Sequence, residues 1–263
     1  MRDTSTTAFF GGLAAGSYGA DDERPPLVLL HGLTYDRRQW APVLRELAVI
    51  DPGRRVVALD LPGHGDSPRR DTYRGEEIVT ALHRAVTEAG LGAPVIVGHS
   101  LGGALATIYA GRYPTRGVVN IDQPLLVGGF GELLRKAEPV LRGPDWESVW
   151  NSLLAGMHIE LLPPAARELV ETATSPRQDL LLGYWQELMS VPERTHREAR
   201  VRDLRTIGQA GVPYHYVSGG EVPAAYRQWL ESVLPAAAVT VLPGGGHFPH
   251  LAHPAELARI MAG

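Results

Sequence analysis

The segment Gly98-His99-Ser100-Leu101-Gly102 has the clearest chemical potential in this chain, because an apolar run at 94–97 precedes it and a small, apolar helical run at 101–113 follows. A serine hydroxyl can attack a substrate when it projects from a sharp strand-to-helix turn beside a base. Such a turn brings backbones so close that side chains at positions 98 and 102 would collide, and glycine at both positions removes the collision. Ser100 then starts a helix, whose unpaired N–H groups and dipole favour developing negative charge. The Leu101 N–H is the first oxyanion donor. The Leu33 N–H, in the loop His31-Gly32-Leu33 after the apolar run 27–30, is the second. The bland alternative is a glycine-rich turn whose serine merely caps a helix; the order strand, turn, helix favours the nucleophile. His31, at a strand end before glycine, reads as a structural hydrogen-bonder.

Ten histidines compete for the role of general base. His247 follows Leu242, Pro243 and three glycines on a loop directly after the last strand pattern, where it can reach over the carboxyl edge of a sheet toward Ser100. His250 carries no chemical signal, and His253 precedes Pro254 as an N-cap would. His99 should point away from the nucleophile. The acid, which must hold the imidazole tautomer and stabilise the imidazolium, has two candidates. Asp122 follows the run 118–121 and Glu221 follows the run 213–217, and either preserves the chain order Ser, acid, His. Each could instead be a loop carboxylate capping a turn, the commoner fate. Asp60, Gly63, Gly65, Asp66 and Ser67 read as a turn fixed by glycine and aspartate.

These groups need a scaffold that gathers distant loops. Continuous apolar runs at 27–30, 55–60, 94–97, 118–121, 213–217 and 238–242 suit strands buried on both faces. They alternate with helical patterns at 39–49, 75–89, 101–113, 224–234 and 254–261, which predicts a parallel sheet with crossover helices. Between about 124 and 211 the strand signal lapses, and Pro139, Pro144, Pro163, Pro164, Pro176 and Pro192 break the run into several helices. The expected organisation is a core at 1–123, a helical cap insertion at 124–211 and the rest of the core at 212–263.

Composition narrows the function classes. With 263 residues, 44% hydrophobic and 21% charged, the chain fits one α/β domain carrying an inserted module. A net charge of -4 leaves no field for a phosphate backbone, so nucleic acid is not an expected partner. The absence of cysteine removes a thiolate nucleophile, disulfides and sulfur-ligated metal. No metal or cofactor is expected. Arg2 and Asp3 sit where a signal peptide would need an apolar run, and no stretch approaches a membrane span, so a cytoplasmic protein without a membrane partner is expected. The expected partner is a small-molecule substrate, and a homodimer is compatible with the sequence.

His31-Gly32, Trp40, the stretch from Asp60 to Ser67, the run from Gly98 to Gly103, and Gly245-Gly246-His247-Phe248 together resemble the α/β-hydrolase family over most of the chain outside the insertion. The resemblance implies an α/β-hydrolase fold with a mostly parallel eight-stranded sheet, helices on both faces and a helical cap after the strand ending at Asp122. It also places the oxyanion donors at Leu33 and Leu101. The family's usual acid lies in a Gly-x-x-Asp stretch. This chain reads Gly219-Gly220-Glu221-Val222, with Val222 where the aspartate would fall. Branches similar to zearalenone-type lactonases and to cofactor-free ring-opening dioxygenases of N-heteroaromatic compounds put the acid at the position of Asp122. Asp122 is therefore the expected acid and Glu221 the alternative.

The expected activity is hydrolysis of a carboxylic ester or lactone through an acyl-enzyme. Two other readings stand beside it: a cofactor-free dioxygenase using a His247/Asp122 dyad as base, and a ligand-binding protein without turnover. Within the cap, Trp146, Trp150, Met157, Tyr184, Trp185 and Met189 suggest an apolar or aromatic substrate, with about two of them expected to line the cleft and the rest to pack within the cap.

Overall fold

The computed structural model describes residues 7–263; residues 1–6, including Arg2 and Asp3 of the stretch read as lacking a signal segment, lie outside them. Eight strands form one sheet: β1 (Ala8–Phe10), β2 (Leu13–Tyr18), β3 (Leu27–Leu30), β4 (Val56–Leu59), β5 (Val95–His99), β6 (Gly117–Ile121), β7 (Tyr214–Ser218) and β8 (Ala238–Val241). Their spatial order is β1-β2-β4-β3-β5-β6-β7-β8. The β1–β2 and β2–β4 pairs are antiparallel and the others parallel. The mostly parallel eight-stranded sheet is therefore present.

Alternate residues of the central strands feed two separate apolar layers. Leu27, Leu29, Val56, Ala58 and Val97 pack with Val43 and Leu47 of α1 (Ala41–Ile50) and with Leu257 and Met261 of α11 (Pro254–Ala262). Val28, Leu30, Val57, Leu59 and Ile96 face the opposite layer, with Ile78 and Leu82 of α2 (Gly75–Glu88), Leu105 of α3 (Leu101–Ala110) and Leu204 of α8 (Glu193–Gln209). Burial on both faces is why these strands read as unbroken apolar runs.

Register then aligns the strand ends. Leu30 pairs with Gly98 and His99 with Ile121. The ladder continues past the strands: Ser100 N–H donates to Ile121 O at 2.9 Å, Asp122 N–H to Val217 O at 2.7 Å and Leu242 N–H to Ser218 O at 2.8 Å. Residues directly after β3, β5, β6, β7 and β8 therefore emerge along one edge, with neighbouring strands about 4.8 Å apart.

Between β6 and β7 run α4 (Gly128–Leu141), α5 (Trp146–Ala155), α6 (Pro164–Ala173), α7 (Gln178–Ser190) and α8. Pro139 does not break the chain as expected: it lies inside α4, within the last turn, where a missing N–H and a lost i−4 contact cost little helix. Pro144, Pro163, Pro176 and Pro192 do fall between helices, and Pro164 opens α6. α4 packs on α5 and α7, α6 packs on the short 3-10 helix Arg37–Trp40, and α8 lies along α3. After β7 come α9 (Ala224–Val233) and, beyond β8, the short α10 (Pro249–Ala252). Among the described residues no helix is long and apolar enough to cross a membrane.

Candidate active site

Ser100 occupies the turn between β5 and α3 with φ 52° and ψ -122°. A non-glycine residue held there carries on the order of 1–3 kcal/mol of strain, which the surrounding structure must impose. It does so through the Ser100 N–H bond to Ile121 O and a 2.7 Å bond from Gly103 N–H to Ser100 O. The flanking glycines are each needed for a different neighbour rather than for each other's side chains. A Cβ on Gly98 would stand 2.0 Å from Gly102 O, and one on Gly102 would stand 2.2 Å from Leu30 O. Ser100 lies on the wall of a cavity of about 710 Å³, and among the described residues no hydrogen bond holds its Oγ.

Gly32 and Leu33 line the same cavity. A Cβ on Gly32 would lie 3.4 Å from Ser100 Cβ, so this loop passes directly beside the hydroxyl. Among the described residues neither the Leu33 nor the Leu101 N–H has an acceptor. His31 underpins the loop: its Nε2 accepts from Leu61 N–H at 2.9 Å and its Nδ1–H donates to Gly32 O at 2.7 Å. That is the structural role expected for it. Asp60 likewise holds its turn, accepting from Arg37 N–H at 2.8 Å and from Asp66 N–H at 2.9 Å.

His247, on the loop after β8, donates from Nδ1–H to Asp122 Oδ2 at 2.8 Å. This bond fixes the tautomer and leaves Nε2 as the ring's proton acceptor, and His247 lines the same cavity as Ser100. Asp122 is itself clamped, because Oδ1 accepts from Ser218 Oγ–H at 3.2 Å and Gly219 N–H at 3.1 Å. Burial raises the Asp122 pKa, but the bonds and charge from His247, Gly219 and Ser218 outweigh it and hold the carboxyl below its ordinary value. Of the two candidate acids, Asp122 is the one brought to His247. Glu221 is exposed on the cavity rim and makes no hydrogen bond to that ring among the described residues.

Sequence reasoning missed three supporting residues. His99 was expected to point away from the nucleophile. It is fully buried, and its Nε2–H donates to the backbone oxygen of His247 at 2.7 Å, anchoring the loop that carries the imidazole, a role the local sequence did not suggest. His250, assigned no signal, is buried with its ring 4.3 Å from that of His99 and 5.3 Å from Trp40. Ser218, at the end of β7, had no motif around it. His253 does stand at the N-cap of α11, but its side chain turns back to Pro243 O at 2.7 Å rather than capping.

Four of the six cap residues line the cavity: Trp150, Met157, Tyr184 and Trp185. This exceeds the expected two. Trp146 and Met189, suggested as substrate contacts, do not line it. Met189 is 7% exposed and packs into the main apolar cluster, and Trp146 lies half-buried against that cluster. The rest of the wall is mostly apolar, including Leu125, Leu126, Val127, Phe130, Leu153 and Leu188.

Residues 27–260 match the alpha/beta hydrolase family, and the chain belongs to it. The pimeloyl-[acyl-carrier protein] methyl ester esterase of Xanthomonas axonopodis pv. citri (strain 306) is 28% identical over 269 residues, covering 90% of this chain and 93% of that protein. The biotin biosynthesis bifunctional protein BioHC of Teredinibacter turnerae is 26% identical over 262 residues; 90% of this chain is covered, and it spans 44% of that protein's length. A solved structure of AqdC, described for recognition and ring-cleavage of the Pseudomonas quinolone signal, shares the fold with a TM-score of 0.77 and 18% identity, covering 98% of this chain and 97% of its own. Esterases and lipases are among the homologues of this chain.

Proposed function

We propose that this protein is a serine hydrolase that cleaves a carboxylic ester or lactone of an apolar or aromatic small molecule through an acyl-enzyme. The observation that carries the reading is the convergence on one apolar cavity of Ser100, on its strained turn, and His247, its ring tied to Asp122 at 2.8 Å. Ser100 Oγ attacks the carbonyl carbon while His247 Nε2 takes its proton, and Asp122 stabilises the resulting imidazolium. The Leu33 and Leu101 N–H groups receive the oxyanion, a contribution of about 3 kcal/mol per donor in comparable sites. The imidazolium then protonates the leaving oxygen. Water, deprotonated by the same Nε2, releases the acid and restores Ser100.

Residues 124–211 act in this reading as a cap, with Trp150, Met157, Tyr184 and Trp185 excluding water and shaping the acyl pocket. The protein works on a small molecule, in the cytoplasm, without nucleic acid or membrane. The test is a fluorophosphonate probe with peptide mapping. Stoichiometric label on Ser100, with p-nitrophenyl acetate turnover lost in parallel, supports acyl transfer. Folded protein that takes no label removes it and turns attention to proton abstraction by the His247/Asp122 pair.

A further inference from the structure

The deep end of the cavity contains a cation that hydrolysis at Ser100 does not use. Leu101, Ala104, Leu105 and Ile108 line the cavity at the spacing of one helix face, so the cavity descends α3 from Ser100 to Ile108, about 12 Å at 1.5 Å per residue. α8 runs parallel to α3, since both descend from the carboxyl edge of the sheet to the start of the next strand. A Cβ on Gly111, at the end of α3, would stand 2.8 Å from Asp203 Cβ. Arg200 lies one turn, about 4.5 Å, higher on α8 and so level with Ile108. It is the one arginine or lysine among the residues lining the cavity.

Arg200 has donors to spare. Its side chain is 16% exposed, and Nη2 lies 3.0 Å from Asp203 Oδ2. Among the described residues no other acceptor is within hydrogen-bond reach of a guanidinium that offers five N–H groups. Its polar neighbours are committed elsewhere: Glu187 Oε2 accepts from Gly75 N–H at 2.8 Å, and His196 Nε2–H donates to Glu187 O at 2.9 Å. Burial lowers the Arg200 pKa, the mark of a desolvated cation. A planar fork with free donors on the wall of a mostly apolar cavity suits a carboxylate, which it can bind through two parallel hydrogen bonds.

We propose that Arg200 forms the distal subsite of the acyl pocket and that the substrate is a monoester of an aliphatic dicarboxylic acid, its scissile carbonyl at Ser100 and its free carboxylate at Arg200. This rests on the acyl-transfer reading above. The methylene chain meets the apolar wall, and only its end meets charge.

The test compares p-nitrophenyl monoesters of the diacids from glutaric to sebacic with fatty-acyl esters of matched length, on the full chain. The expected result is that, at one length in the series, the diacid monoester shows a kcat/KM about tenfold or more above that of the fatty-acyl ester of matched length. Arg200→Gln should bring that ratio close to one, and Arg200→Lys should keep part of it. A ratio near one in the wild type, or a ratio that Arg200→Gln leaves intact, overturns the subsite. If Arg200→Gln fails to fold, wild-type inhibition decides: across the series the free diacids must inhibit more strongly than fatty acids of matched length at one length at least, and equal inhibition at every length counts against the proposal. Octanoate turnover with Ser100 labelling but no carboxylate preference sinks the subsite alone. Loss of labelling and of all turnover sinks the hydrolase reading beneath it.

Discussion

The carboxyl edge of the sheet and the helices above it build one cavity by different means. At the edge, position follows from register: Ser100, Asp122 and Gly219 each stand one residue past a paired strand, and glycines at 98 and 102 allow contacts that any Cβ would block. In the helices of 124–211, position follows from packing between elements, and which side of a helix meets the cavity depends on neighbours far away in sequence. Trp150 and Trp146 sit four residues apart on α5, yet only Trp150 lines the cavity. In the proposed reading, the groups that do chemistry are thus set by backbone geometry, and the groups that select substrate by tertiary fit.

Substitutions at the two regions should separate accordingly. The largest effect belongs to Asp122→Asn, which removes the carboxylate that orients His247 and should lower kcat by about 10⁴-fold. Glu221→Gln should cost less than the roughly hundredfold that losing a proton-transfer partner brings. A larger loss at Glu221 than at Asp122 would break the register-based assignment. Next comes Gly98→Ala, whose methyl would sit 2.0 Å from Gly102 O. It should destabilise by about 3 kcal/mol or more in urea unfolding. Gly129→Ala in α4, where a Cβ meets nothing within 4 Å, should be neutral or mildly stabilising.

On the cap side, Trp150→Ala should raise KM for aromatic esters about 10- to 100-fold, in line with about 1.5–3 kcal/mol of lost apolar contact. Its effect on kcat should be smaller, and a kcat collapse without a KM change would argue that α5 positions the chemistry.

The region at the carboxyl edge also carries a pH dependence. Burial pushes the pKa values of His31, His64, His99 and His250 down, those of His64 and His250 to about 3. The unfolded chain takes up these protons near pH 6.5 while the folded chain does not, so unfolding binds protons in the window below 6.5. Stability therefore falls as pH drops from 6.5 toward 3, by up to about 1.4 kcal/mol per pH unit for each histidine. Asp122, with its folded pKa depressed, contributes stability that is present above the unfolded carboxylate value and lost as pH falls through the folded one. Urea midpoints should be lower at pH 5 than at pH 7. Equal midpoints would mean that these rings are not held neutral.

Legibility in the sequence divides along the same line. The six parallel strands announced themselves as apolar runs, with ends within two residues of those observed; five are buried as expected, whereas β8 lies at the sheet edge with Val241 exposed, so the run 238–242 is not covered on both faces. Their loops carried Gly98, Gly102 and the three glycines before His247, each a residue type with a backbone reason. β1 and β2 escaped notice because Ala8–Phe10 is three residues long and Leu13–Tyr18 is rich in Ala, Gly and Ser, without the β-branched signal. The anchoring role of His99 escaped notice because it bonds the backbone of a loop 148 residues away, which no local spacing records. Met189 and Trp146 have the same composition signal as Met157 and Trp185, and only the helix packing separates them.

Trapping the acyl-enzyme tests the central claim most directly. Acid quench during p-nitrophenyl acetate turnover, followed by peptide mass spectrometry, should find an acetyl group on Ser100, and Ser100→Ala should lose both the adduct and at least about 10⁴-fold in kcat. Sustained turnover in Ser100→Ala, with no acetylated residue 100 in the wild type, would contradict it.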